Sequence, residues 1–381
     1  MPTIRVPGEI LGHNDGIKYS SHPIPRKPMT NTLDPYPLIR PLLFQLYPET
    51  AHALAFFLGG LAQRVPGALP LLQGVCGKPA PGITREVFGL KFSSPIGLAA
   101  GLDKGAQLLP IWKALGFGFV EIGTVTPRPQ PGNLKPRVFR LPEEGLILNR
   151  MGFNSEGMDV VARRLRKRPQ GLVVGGNIGK NKTTPEESAL DDYAAAFRVI
   201  APLVDYVALN ISSPNTPGLR RLQAPDALRP LVDGILALRK EMGLERQPLL
   251  VKLAPDLPFP ELDAILEVLV ACGVNGVIAT NTTLDRGIIS EMNRAKVEAL
   301  GEGGLSGRGL KVKAQAMNRR ILQRLPQEVR LMACGGIRSS EDAAQALQEG
   351  AALVQIYTSL IFEGPLLVGR MNRDLDTRDY Y

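Results

Sequence analysis

The residues best suited to chemistry crowd the segment from Asn210 to Arg220, NISSPNTPGLR. An asparagine side chain both donates and accepts. Asn210 and Asn215 therefore suit a small planar ligand carrying carbonyl and N–H groups, with Ser212, Ser213 and Thr216 beside them. Pro214 and Pro217 stiffen the segment, and Gly218 offers a hinge. A polar turn capping the next helix needs one or two such residues, and this run holds more. Lys252 and Lys104, each just after an apolar run, must find an anion or polar partner on leaving the core. For either lysine alone, a structural ion pair is the simpler reading. Gly335-Gly336, the run 303–307 with Ser306 and Gly307, and Tyr357-Thr358 form a third group. Glycines let backbone N–H groups approach a phosphate, although turns use them too. Together with the two hydroxyls they suggest a phosphorylated cofactor.

Other chemistries lose their residues. His13, His22 and His52 are the only histidines, so a Ser-His-Asp site built beyond residue 52 is excluded and a zinc-hydrolase site disfavoured. Cys76, Cys272 and Cys334 stand far apart, which disfavours a zinc ribbon or a cysteine-held iron–sulfur cluster and fits reduced thiols. The net charge of +9 would suit an anionic membrane, an anionic substrate or nucleic acid. No aromatics interleave with the basic residues to stack bases, and the run RRLRKR at 163–168 reads as a solvated helix face.

These groups need a scaffold that brings them together. Short apolar runs at 96–100, 118–122, 172–177, 206–210, 249–253, 276–280, 330–334 and 353–357 alternate with helix-like stretches. Eight strand-plus-helix units predict an α/β fold, a (β/α)8 TIM barrel, whose chemistry gathers at the C-terminal strand ends. Those ends carry 101–104, Thr124, Asn177, Asn210, Lys252, Thr280-Asn281, Gly335-Gly336 and Tyr357-Thr358. Residues 86–92 read as one arm of a hairpin closing the barrel bottom, and 137–141 with 146–149 as a second hairpin. Residues 1–33 read as a flexible tail, 34–78 as a helical extension and 79–381 as the barrel domain. The extension is read as two helices broken near Pro48. It is rich in apolar residues, yet no run reaches the ~20 needed to span a bilayer. Composition alone favours packing on the barrel, with a monotopic membrane patch as the alternative.

The segment 210–220, with the other motifs in the same order, resembles the active-site loop of dihydroorotate dehydrogenases, specifically the quinone-dependent, membrane-associated class 2. The resemblance covers about residues 36–365. It implies FMN as cofactor, a quinone as co-substrate, and neither metal nor iron–sulfur cluster. It implies oxidation of dihydroorotate to orotate, in de novo pyrimidine biosynthesis, with Ser213 as the base that removes the C5 proton. The positions matching flavin contacts are Ala100, Gly101, Lys104, Thr124, Asn177, Asn210, Lys252, Thr280, Ser306, Gly307, Gly335, Gly336, Tyr357 and Thr358. Those matching substrate contacts are Lys104, Asn149, Arg150, Met151, Gly152, Phe153, Asn210, Asn215, Asn281 and Thr282, with Phe153 packed beside Ser213 to exclude water. His52 and Arg140 match polar positions of the quinone tunnel. The class implies peripheral membrane association through the N-terminal helices. The expected setting is a monomer, without nucleic acid, at the cytoplasmic face of a bacterial inner membrane, with the mitochondrial inner membrane as the alternative. Three rivals remain at this point: a Schiff-base aldolase on Lys252, a flavin barrel acting on transfer RNA, and a membrane scaffold without activity.

Overall fold

A computed structural model of the protein describes residues 34–377. The expected tail, 1–33, lies outside the described residues. The strands, in chain order, are β1 (Arg85–Val87), β2 (Leu90–Phe92), β3 (Ile96–Leu98), β4 (Phe119–Val125), β5 (Val138–Leu141), β6 (Leu146–Asn149) and β7 (Val173–Ile178). They continue as β8 (Tyr206–Asn210), β9 (Leu249–Leu253), β10 (Gly276–Ala279), β11 (Gly304–Gly307), β12 (Arg330–Cys334) and β13 (Leu353–Ile356). Eight of them, β3, β4, β7, β8, β9, β10, β12 and β13, close a parallel barrel in chain order, with β13 returning to β3. The (β/α)8 expectation holds, with strand ends shifted by a few residues.

Side chains alternate across each barrel strand. Val120 and Ile122 of β4 join the main core, whereas Phe119 joins a separate cluster with Phe92, Tyr206, Ile278 and Met332. That cluster fills the barrel axis, and Val87 and Phe92 of the β1–β2 hairpin belong to it. Both arms of that hairpin lie within 85–92, where the sequence suggested one. The large rings need small neighbours. A Cβ at Gly97 would lie 2.2 Å from the Phe119 ring, and one at Gly175 would lie 2.0 Å from that of Tyr206. Overpacking of this kind costs about 1–3 kcal/mol or more.

The predicted second hairpin is present as β5–β6, and β11 adds to it antiparallel with Ser306 opposite Ile147. The sequence reading took 303–307 for a glycine loop. Glycine hides a strand signal, and here a Cβ at Gly304 would sit 2.0 Å from Thr282 Oγ1. Ahead of the barrel lie α1 (Tyr36–Gln45), α2 (Pro48–Ala62) and α3 (Ala68–Cys76). The break near Pro48 is where the sequence put it, and α3 is an additional helix.

Candidate active site

The site starts one layer above the aromatic plug. Glu121, inward on β4 and fully buried, receives four donors. Asn177 Nδ2 at 2.9 Å and Lys252 Nζ at 3.5 Å reach Oε1. Gln355 Nε2 at 2.7 Å and the Tyr206 hydroxyl at 3.1 Å reach Oε2. Burial opposes the charge of Lys252, but the Glu121 carboxylate more than offsets it and holds the ammonium above the usual lysine range.

A chain of amides rises from this layer. Asn177 Oδ1 accepts from Thr124 Oγ1 at 2.6 Å, and Thr124 Oγ1 accepts from Asn210 Nδ2 at 2.8 Å. Asn210 Oδ1 in turn accepts from Asn281 Nδ2 at 3.2 Å. Across the rim, Asn215 Nδ2 donates to Asn149 Oδ1 at 3.1 Å. The two adjacent serines separate here. Ser212 Oγ accepts from Asn281 Nδ2 at 3.0 Å and is fully buried, whereas Ser213 lines the central cavity and, among the described residues, accepts only the Asn215 N–H, at 3.3 Å. Arg220 fastens the far end of this loop. It donates to Ser212 O at 3.1 Å, Asp256 Oδ2 at 2.9 Å and Thr282 O at 3.0 Å. Burial pushes the Asp256 carboxyl up, yet donors from Thr283, Leu284, Lys313 and Arg220 outweigh it and leave the group below the usual range.

Lys104 enters from the loop after β3 and bonds Asn154 Oδ1. Buried Asp103 fixes that loop by accepting from Gln107 N–H, Leu108 N–H and Trp112 Nε1 at 2.7, 2.8 and 2.9 Å. Burial, reinforced by the Arg137 charge, brings Lys104 down to about 7.

These groups face one cavity of about 1140 Å³. At one flank Ser306 Oγ meets Thr358 Oγ1 at 2.8 Å, beside Gly307, Gly335 and Gly336. Gly307, with φ +117°, approaches so closely that a Cβ would lie 2.3 Å from Gly145 O. One at Gly336 (φ +73°) would lie 2.3 Å from Lys311 Cα. Thr282 Oγ1, Gln355 Oε1 and Ser359 Oγ are buried without a partner among the described residues, and all three residues line the cavity. Bare backbone, paired hydroxyls and free acceptors fit a planar, phosphorylated cofactor.

The other end of the cavity is lined by α1 and α2. His52 Nε2 pairs with Leu102 O at 2.9 Å, its ring stacks on Phe56 at 4.1 Å, and burial holds its pKa below the usual value. Arg140 of β5 bonds the carbonyls of Leu43 (3.2 Å) and Leu46 and lies over the Phe44 ring at 4.5 Å. It thereby caps the end of α1, adding to the Leu46 N–H that already reaches the Leu43 carbonyl at 3.3 Å. Arg137 grips Glu49 of α2 at 2.9 and 3.1 Å.

The structure brings nearly all the expected site residues to this cavity, with two exceptions. Asn177 lies beneath the wall, in the Glu121 layer. The Arg150 side chain turns away, to Leu300 O at 2.5 Å and Glu302 O at 2.9 Å and over the Phe139 ring, so it is not a side-chain ligand of the cavity. The expectation for Arg150 is corrected accordingly. Its neighbours Asn149, Met151, Gly152 and Phe153 do line the cavity. Sequence reasoning missed Glu121, Gln355 and Arg137. A lone carboxylate at an inward position of FVEIGTV was the available signal for the first; the other two carried none.

A family model described as "Dihydroorotate dehydrogenase" matches residues 83–378. A Stenotrophomonas maltophilia protein, "Dihydroorotate dehydrogenase (quinone)", is 49% identical over 337 residues, which are 87% of this chain and 93% of the relative. One of the same name from Halorhodospira halophila is 46% identical over 336 residues, 87% of this chain and 95% of the relative. Among solved structures, the Eimeria tenella DHODH in complex with ferulenol is similar, with TM-score 0.78, 36% identity, and 88% and 93% of the two chains covered.

Proposed function

The chain belongs to the quinone-dependent dihydroorotate dehydrogenase family, and from that premise we propose that it oxidises dihydroorotate to orotate on FMN, with Ser213 as base and a quinone as final acceptor. One observation carries the reading: a single cavity joins the rim with Ser213 and the amides, the glycine-lined flank, and the passage between α1 and α2. The chemistry that FMN would supply when bound there is two-electron transfer, from dihydroorotate C6 as hydride and onward to the quinone.

The protein's own groups would do the rest. Dihydroorotate offers two carbonyls, two N–H groups and a carboxylate, which matches Asn149, Asn215 and Asn281 as donors and acceptors and Lys104 as cation. Ser213 would take the proton from C5. It is a weak base and needs a dry, aligned site; Ser213 is 6% exposed and Phe153, 7% exposed, lines the same cavity. Ser306, Thr358 and the bare backbone at 307 and 335–336 would hold the phosphate. Lys252 would supply positive charge at the flavin edge where electrons arrive. His52 and Arg140 would border the quinone path.

We place the protein peripherally on a membrane, as the cytoplasmic face of a bacterial inner membrane would allow. No described helix is long and apolar enough to cross one. Leu38 (81% exposed), Leu42 (66%) and Phe57 (63%) instead present an apolar surface on α1 and α2, of the kind that marks a contact site. We read it as a monomer. The test is an anaerobic visible spectrum. A flavin band that dihydroorotate bleaches and a short-chain quinone restores is the expected result. A band untouched by dihydroorotate removes the substrate, and protein that neither carries nor takes up FMN removes the cofactor.

A further inference from the structure

We propose that Glu121 is a positioning residue: from beneath the cavity its carboxylate orients Lys252 and, through Asn177, the amide chain of the rim. The inference rests on the flavin reading for its consequence but on the chain's own geometry for its content. Lys252 is 4% exposed and lines the cavity, and among the described residues Glu121 is its only hydrogen-bond partner. An ammonium has three donors. One is thus held from below by a group with no other cation against it, leaving the others for whatever occupies the cavity.

The same carboxylate sets the direction of the amides. Ionised, it only accepts, so Asn177 must turn its NH₂ downward and its oxygen up to Thr124. Thr124 then presents a lone pair to Asn210 Nδ2, and Asn210 Oδ1 is left to accept from Asn281. Each link is polarised by the one below it. A neutral, two-faced group at 121 would leave Asn177 free to flip and the order above it undefined. Gln355 is committed in the same way: its NH₂ faces Glu121, which leaves its oxygen as an unpartnered buried acceptor in a residue that lines the cavity.

The charged and titratable groups facing Lys252 are Glu121 from β4 and Cys334 from β12, with Tyr206 of β8 on the same carboxylate. Burial drives Lys252 toward neutrality, and the charge of Glu121 is the main force against it. Burial raises the Cys334 thiol, so it stays neutral and is no substitute counter-ion near neutral pH.

The test uses Glu121→Gln, Glu121→Asp and Lys252→Met in the full chain, each checked for its barrel by circular dichroism. The first readout needs no flavin: reductive methylation of Lys252 by formaldehyde and borohydride, followed by peptide mass spectrometry. Only the neutral amine reacts, so at pH 8 Glu121→Gln should methylate at least tenfold faster than the parent, and Glu121→Asp, whose carboxylate is withdrawn from Lys252, at a rate between the two. The second is the midpoint potential of bound FMN against pH. Glu121→Gln should lower it and give it a new pH dependence, and the same change in the Lys252→Met background should add no such dependence. Folded Glu121→Gln with parental methylation and an unchanged potential profile overturns the inference. If Glu121→Gln does not fold, Glu121→Asp decides: its carboxylate sits one methylene further away, so methylation no faster than the parent's together with an unshifted potential overturns it. Parent protein without flavin would instead strike the cofactor reading, while the methylation result still judged Glu121.

Discussion

The rim of the barrel and the two helices at the cavity's other end are built on opposite terms. At the rim, side chains are polar and buried, and each holds the next: Asn281 on Asn210, Asn210 on Thr124, Thr124 on Asn177, Asn177 on Glu121. The helices turn apolar side chains outward and are tied down by a few polar clasps, Arg137 on Glu49, Arg140 on the end of α1, and the Tyr36 hydroxyl on Ile361 O at 2.5 Å. A buried polar network is costly when any member is unpaired, so it specifies one geometry. An apolar passage with clasps at its edges tolerates variation in what passes through. The contrast is what a two-substrate site needs: exact recognition of a small polar ring at one end and admission of an apolar molecule at the other.

The largest effect should come from the rim. Ser213→Ala removes the proposed base and leaves the Glu121 layer intact. Reduction of bound FMN by dihydroorotate, followed by stopped flow, should fall by about 10²–10⁴-fold while FMN binding persists. Near-parental reduction would take the base role from Ser213. At the other end, replacing Leu42 and Phe57 together by aspartate should abolish most vesicle binding. Burying each such side chain is worth about 1.5–3 kcal/mol, so the partition coefficient should drop by roughly a hundredfold or more, with activity toward a water-soluble quinone retained. Equal loss of both would mean that these residues hold the fold rather than a membrane.

The two ends also differed in how far the sequence revealed them. Asparagines, lysines and glycines at strand ends are unusual residues at countable positions, so the barrel, its strands and most of the rim were legible. Ser213 could be told from Ser212 by the resemblance alone; the structure adds that Ser212 is consumed by Asn210 and Asn281. What stayed hidden was partnership. Nothing in the order of residues says that Arg150 turns to the carbonyls of 300 and 302, that Arg140 caps α1, or that β11 completes a sheet with β6. These are contacts across more than ninety positions, set by tertiary packing, and local patterns do not encode them. At the helical end the apolar stripe was readable, but its direction was not. An outward-facing Leu42 and an inward-facing one look alike in sequence.

A smaller effect tests whether the two ends are independent. Lys104 belongs to the rim, yet the charges acting on it belong to the clasp: after burial, Arg137 pushes it down and Glu49 pulls it up. With its pKa near 7, binding of the orotate anion must take up a proton once the pH exceeds that value. Affinity should then be flat below about pH 7 and fall toward tenfold per pH unit above it, as read from the flavin spectral change on titration. Arg137→Gln removes the repelling charge, so the break should move to higher pH. Glu49→Gln removes the attracting charge, so the break should move lower. A merely loosened clasp would shift both variants in the same direction, because either substitution breaks the same pair. Opposite shifts would show that α2 speaks to the rim electrostatically through Arg137 and Glu49, and like shifts that the two ends communicate only through packing.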